Sequence, residues 1–134
     1  VARWKVVVGH HCIRSGGAHG GRGTSSEVGQ RLEPIFERHG VDLYLSGHDH
    51  DLQLLRTDAG WLQVVSGAGS ALRDTGWTQD SLFAETKAAF AALAIRPGEL
   101  RVEFYAATEG LIYAHAVHKP MDADARAREP VLHG

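Results

Sequence analysis

The sequence predicts an α/β fold, with a mixed sheet in the front part of the chain followed by antiparallel strands at the back. Three observations carry that prediction. Apolar runs at residues 4–8 and 41–45 enclose a segment of helical spacing, the strand–helix–strand order of a crossover between parallel strands. Two further apolar runs, 52–56 and 61–65, meet around Asp58-Ala-Gly60, a hairpin signal. Three β-patterned segments then follow at 88–95, 100–106 and 111–117, separated by the turn residues Arg96-Pro-Gly98 and Thr108-Glu-Gly110.

Residues 4–8 become continuously apolar toward their end, the pattern of a strand covered on both faces. Residues 9–29 are polar and glycine-rich, longer than an ordinary connection, and loops of that length inside compact domains are functional or mobile. Val28, Leu32, Ile35, Phe36 and His39 fall at helical spacing, with Gly40 as a C-terminal stop. Pro34 either kinks this helix or opens a second one. The stretch Ser66-Gly-Ala-Gly-Ser70 suits a tight turn or a substrate-facing loop, and 74–87 has no clear pattern. Alanine-rich 88–94 would be helix on propensity alone, but its place in a strand series favours strand. The chain divides into one domain, 1–118, and a charged, loosely ordered tail, 119–134.

Composition excludes several classes of function. With 134 residues and 43% apolar content the chain can bury a real core. A net charge of -2 and scattered basic residues give no electrostatic footprint for nucleic acid. No apolar run approaches membrane-spanning length, and no membrane partner is expected. The single cysteine, Cys12, rules out an internal disulfide framework. The chain opens almost at once on a strand without an initiator methionine, as a processed or excised piece would.

Histidine is abundant, at nine residues, and its placement is informative. His10 and His11 directly follow one predicted strand, and His48 and His50 follow another. In α/β sheets ligands sit beyond the carboxyl ends of strands. Alternate residues of an extended segment share a face, so His48 and His50 could grip one ion or one ion each of a pair. Neutral imidazole suits zinc, iron and nickel. Three nitrogens from His10, His48 and His50 make one metal site or parts of two. His39, His115, His118 and His133 read as ordinary cap, core or surface residues.

Val7-Val-Gly-His-His11 followed by Gly47-His-Asp-His50 resembles the C-terminal half of the calcineurin-like metallophosphoesterases, in the tartrate-resistant and purple acid phosphatase branch. The likeness runs through His39-Gly-Val-Asp42 and Val65-Ser-Gly-Ala-Gly-Ser70 and covers residues 3 to 118. It implies a two-sheet sandwich covered by helices, and a metal-dependent phosphoric ester hydrolase acting as an acid phosphatase. By that resemblance His10 and His48 are ligands of the second metal and His50 is a ligand of the first. His19 stands where the family has a substrate-side histidine that contacts phosphate or assists the leaving group. The implied cofactor is a dinuclear transition-metal centre, iron with iron, zinc or manganese, and the substrate a small phosphate ester. The family's secreted or periplasmic members give the only lean on compartment.

The neighbouring residues leave alternatives open. Arg14 either grips a phosphate oxygen or is a solvated loop residue. Cys12 is either a soft ligand or a buried bystander. His11 steadies a ligand or scaffolds the loop, and Asp49, pointing away from its histidine neighbours, could orient one of them. The largest departure is that neither a GNHD nor a GDxx motif, the family's carboxylate and asparagine ligands, occurs in the sequence. A dinuclear centre therefore needs the missing N-terminal half or self-association. Without it the expectation is a non-catalytic fragment or interaction module holding one zinc or iron ion, with an exposed sheet edge where further strands belong.

Overall fold

The computed structural model describes residues 2–20 and 26–121. Its elements run β1 (Val6–Val8), α1 (Glu27–His39), β2 (Leu43–Ser46), β3 (Leu52–Arg56), β4 (Leu62–Ser66), β5 (Ser81–Glu85), β6 (Ala89–Arg96), β7 (Glu99–Ala106) and β8 (Gly110–His118). They make a five-stranded sheet in the order β1-β2-β4-β3-β5 and a three-stranded antiparallel sheet, β6-β7-β8. The first sheet is mixed: β1 and β4 run parallel to β2, while β3 pairs antiparallel with both β4 and β5. The α/β class, the mixed sheet and the antiparallel back sheet agree with the sequence.

Alternation along β2 shows how the layers form. Leu43 packs with Leu52, Leu54, Leu62 and Val64 against Leu100, Val102 and Phe104 of β7, so the two sheets share one core. Tyr44 faces the other way and packs with Phe36 of α1, Trp61 and Ile13. The first sheet is thus covered by the second sheet on one face and by α1 on the other. In β7 the inward residues alternate strictly with half-exposed ones. The second sheet can therefore present its polar side outward.

Helix α1 starts at Ser26, whose side chain accepts from the Gly29 amide, and stops at Gly40, left-handed at φ 61°. It runs through Pro34 as one helix, with no second helix starting there. Two further expectations need correction in part. β1 is a three-residue edge strand in which Val6 packs toward the inter-sheet core and Val7 toward the α1 side, while Val8 at its end is 73% exposed, so the cover on both faces stops short of the strand's end. The unpatterned stretch 74–87 contains β5, whose side chains are mostly half-buried and so lack a clean alternation. At the start of the expected tail, Lys119 bonds Asp42 at 2.6 Å and the Arg3 carbonyl at 2.7 Å. The rest of the expected tail, 122–134, lies outside the described residues.

Candidate metal and phosphate site

Two strand ends bring the histidines together. β1 and β2 are adjacent and parallel, with Val8 opposite Leu45. The pairing continues past both strands, since the Gly9 amide donates to Leu45 at 3.0 Å and the Gly47 amide donates to His10 at 3.2 Å. His10 and His48 therefore lie in the same layer. The ring of His48 has His10, His11 and His19 around it, at centroid separations of 5.0, 4.6 and 4.1 Å. His48 Nδ1 and His10 Nε2 are 3.2 Å apart.

His48 is a non-glycine residue with positive φ, at 64°. That conformation costs about 1–3 kcal/mol and persists only where the surroundings demand it. It also overturns the expectation that His48 and His50 sit on an extended segment, because residues 48–50 form a bend. The two still converge: His10, His48 and His50 line one cleft of about 340 Å³ together with Gly47, Ser66, Gly67, Gly69 and Ser70. A second cleft of about 160 Å³ lies between His11, His19 and His48 and the start of α1. His48 borders both.

His50 Nδ1 lies 2.7 Å from the Ala71 carbonyl and must donate to it, which leaves Nε2 with a free lone pair. Metal-binding histidines show that arrangement, with the second ring nitrogen tied to a carbonyl. Loss of water around the ring, followed by like charge on His19, His11 and His10, lowers the proton affinity of His48. Both features suit imidazole ligands. The oxygen ligands are not assembled with them. Among the described residues no group of three or more His, Cys, Asp or Glu side chains is arranged to hold a metal ion.

The carboxylates nearest in sequence turn inward. Asp49 is fully buried; its Oδ1 accepts from the His19 backbone amide at 3.0 Å and the His19 ring Nδ1 at 2.6 Å, and its Oδ2 accepts from Ser15. Asp51, also fully buried, accepts from Gln53 at 2.9 Å, while its Oδ2 has no partner. Burial raises the pKa of Asp51.

The long glycine-rich loop is held down, in its described part, by side chains that the sequence did not flag. Gln63 accepts from the Arg14 amide and donates to the Arg14 carbonyl, as a neighbouring strand would. Gln53 accepts from the Gly16 amide at 2.8 Å and donates to Ser15 at 2.8 Å. Both glutamines are fully buried. The matching LQLL and LQVV runs of β3 and β4 are the only sequence signal for them.

Arg14 and Cys12 have structural partners. Arg14 Nε pairs with Glu33 at 2.8 Å and Nη1 with Asp80 at 2.7 Å, so Arg14 is not a freely solvated loop residue but clamps α1 to the segment leading into β5. Cys12 is buried against the Gly47 carbonyl, and burial pushes its thiol up to about 11. A thiol so held fits the buried-bystander reading. His11 is exposed, and its carbonyl accepts from the Tyr44 hydroxyl at 2.8 Å.

No protein-family model matches the chain. Individual relatives do. The chain is 35% identical over 128 residues to purple acid phosphatase 4 of Arabidopsis thaliana, an alignment that takes in 92% of this chain and 37% of that protein. It is 32% identical over 113 residues to tartrate-resistant acid phosphatase type 5 of Oryctolagus cuniculus, covering 77% of this chain and 34% of the other. The chain is homologous to the purple and tartrate-resistant acid phosphatases. This homologue spans little more than a third of the length of either relative.

Solved structures agree on the fold. GAP50, the anchor in the inner membrane complex of Plasmodium, superposes with a TM-score of 0.79 at 25% identity, over 92% of this chain and 39% of that one. The purple acid phosphatase PPD1 from yellow lupin seeds gives 0.73 at 20% identity, over 86% of this chain and 25% of the other. No described helix is long and apolar enough to cross a membrane.

Proposed function

We infer that this chain is the C-terminal, histidine-bearing part of a purple-acid-phosphatase-like phosphoesterase, and that alone it is a non-catalytic unit binding a single transition-metal ion such as zinc or iron. One observation carries the reading. His10, His48 and His50 share a cleft, while Asp49 and Asp51, the carboxylates beside them in sequence, are buried and turned away from ligand duty. The imidazole portion of a metal-donor set is present and the hard oxygen portion is not.

In the complete enzyme, oxygen ligands from polypeptide outside this sequence would join His10, His48 and His50 around two cations. Such a pair offsets charge developing on phosphate oxygens during ester hydrolysis. His10, His48 and His50 hold position, and His19 stands beside His48 to meet phosphate or the leaving group. Glu33 and Asp80 hold Nε and Nη1 of Arg14, so a part for Arg14 in phosphate binding would fall to its remaining nitrogen. The exposed edge of β1 is where the missing strands would add.

The test is hydrolysis of a small aryl phosphate by the gel-filtered chain with zinc or iron, alone and mixed with the N-terminal part of a purple acid phosphatase relative. The reading expects no turnover above background from the chain alone. Turnover by the monomeric chain alone contradicts it.

A further inference from the structure

We propose that Asp49 is the positioning residue for His19, fixing both the place and the tautomer of that ring from the same tripeptide that carries His48 and His50. The proposal rests on the reading of His19 as the group that meets phosphate or the leaving group, and it supplies what that reading lacks, a reason for the ring to be in place. His19 lies in a glycine-rich turn whose neighbours, Gly17 and Gly20, give it no side-chain packing of their own. Its order comes from Asp49, thirty positions away in the chain.

One oxygen of that carboxylate, Oδ1, takes both N–H groups of His19, from the backbone at 3.0 Å and from ring Nδ1 at 2.6 Å. The backbone bond fixes where the residue sits and the ring bond fixes its orientation. The other oxygen takes the Ser15 hydroxyl, and Ser15 Oγ in turn accepts from the Gly17 amide at 2.9 Å and from Gln53 at 2.8 Å. The turn 15–20 is thereby seated on one fully buried carboxylate. Gly17 permits that approach: a Cβ there would lie 2.8 Å from Asp49 Oδ2 and closer still to Asp51 Oδ2.

A carboxylate has no proton to donate, so Nδ1 of His19 carries the hydrogen and Nε2 is the nitrogen left to face outward. The ring lies against His48 with centroids 4.1 Å apart. When the ring is doubly protonated, only the Nε2 proton is free to move. In the complete enzyme it would pass to the ester oxygen as a water oxygen bonds to phosphorus, that water's proton going to solvent, and the ester P–O bond breaks; the bonding pair leaves with the ester oxygen as alcohol, and Nδ1–H stays on Asp49.

The experiment is two-bond 1H–15N NMR of the histidine rings in the 134-residue chain, wild type and Asp49→Ala, with His19→Gln to assign the signal. Wild type is expected to show His19 as the Nδ1–H tautomer, with that signal lost in Asp49→Ala while the His10 and His50 patterns stay. If Asp49→Ala does not fold, Asp49→Asn replaces it, and the Nδ1 proton then moves upfield as a charged acceptor becomes a neutral one. An Nε2–H ring in wild type, or an Nδ1–H signal unchanged by the folded variant, overturns the proposal. The ring is read without metal or substrate, so these results stand apart from the hydrolysis test above. Positioning can fail while the phosphoesterase reading holds, and the reverse.

Discussion

His10 and His48 meet nitrogen to nitrogen, Nε2 to Nδ1 at 3.2 Å, although 38 positions separate them in the chain. The contact follows from the parallel register of β1 and β2, which carries the peptide past both strands in step until the two glycines release it. One of the rings must donate to the other or the pair must share a cation, because two bare lone pairs at that distance repel. Metal binding would therefore replace this ring-to-ring hydrogen bond, with both nitrogens turning their lone pairs to the ion.

Arg14 ties the glycine-rich loop to α1 and to Asp80, which is 2% exposed at its side chain. Removing the guanidinium leaves that carboxylate buried without its cation. Arg14→Ala is expected to destabilise the fold by about 2–3 kcal/mol, read as a fall in Tm of roughly 10 °C. A variant as stable as wild type would return Arg14 to the list of free cations near the site.

Cys12 gives a pH and reactivity prediction. Its folded value, about 11, lies above the ordinary 9.0, so the folded chain keeps the thiol proton over a range where the unfolded chain loses it. The stability this contributes is complete below pH 9 and is lost as pH rises toward 11. The thiol should resist iodoacetamide at pH 8 in the native chain and react once the chain is unfolded in urea. Fast native alkylation would contradict the burial that makes Cys12 a bystander.

Gly17→Ala forces a methyl group against the carboxylates of Asp49 and Asp51. Both are buried within the network of Ser15 and Gln53, and neither can withdraw without breaking bonds. The expected result is local: the amide cross-peaks of residues 15–20 and of His48 shift, while those of β6, β7 and β8 stay in place. Uniform shifts through the second sheet would mean that the loop is not the seat of the effect.

Much of the fold was legible because it rests on periodicity and turn chemistry. The hairpin at Gly60, which takes φ 92°, and the three strands of the second sheet follow from local signals alone. β5 was hidden because a strand whose neighbours bury it irregularly shows no alternation. The convergence of His10, His48 and His50 was legible from strand ends that deliver histidines to one layer. The bend at His48 was not, because positive φ in a residue with a side chain is imposed by surroundings and leaves no local trace. The partners of Asp49 and Arg14 were also invisible, since Asp80, Glu33 and His19 reach them only through tertiary packing.

Elemental analysis of the gel-filtered chain after zinc or iron loading, for wild type and His48→Ala side by side, tests the central claim most directly. The account predicts no more than one ion per wild-type chain, and a clear loss of it in the variant. Two ions per monomeric chain, or equal metal in both proteins, would contradict it.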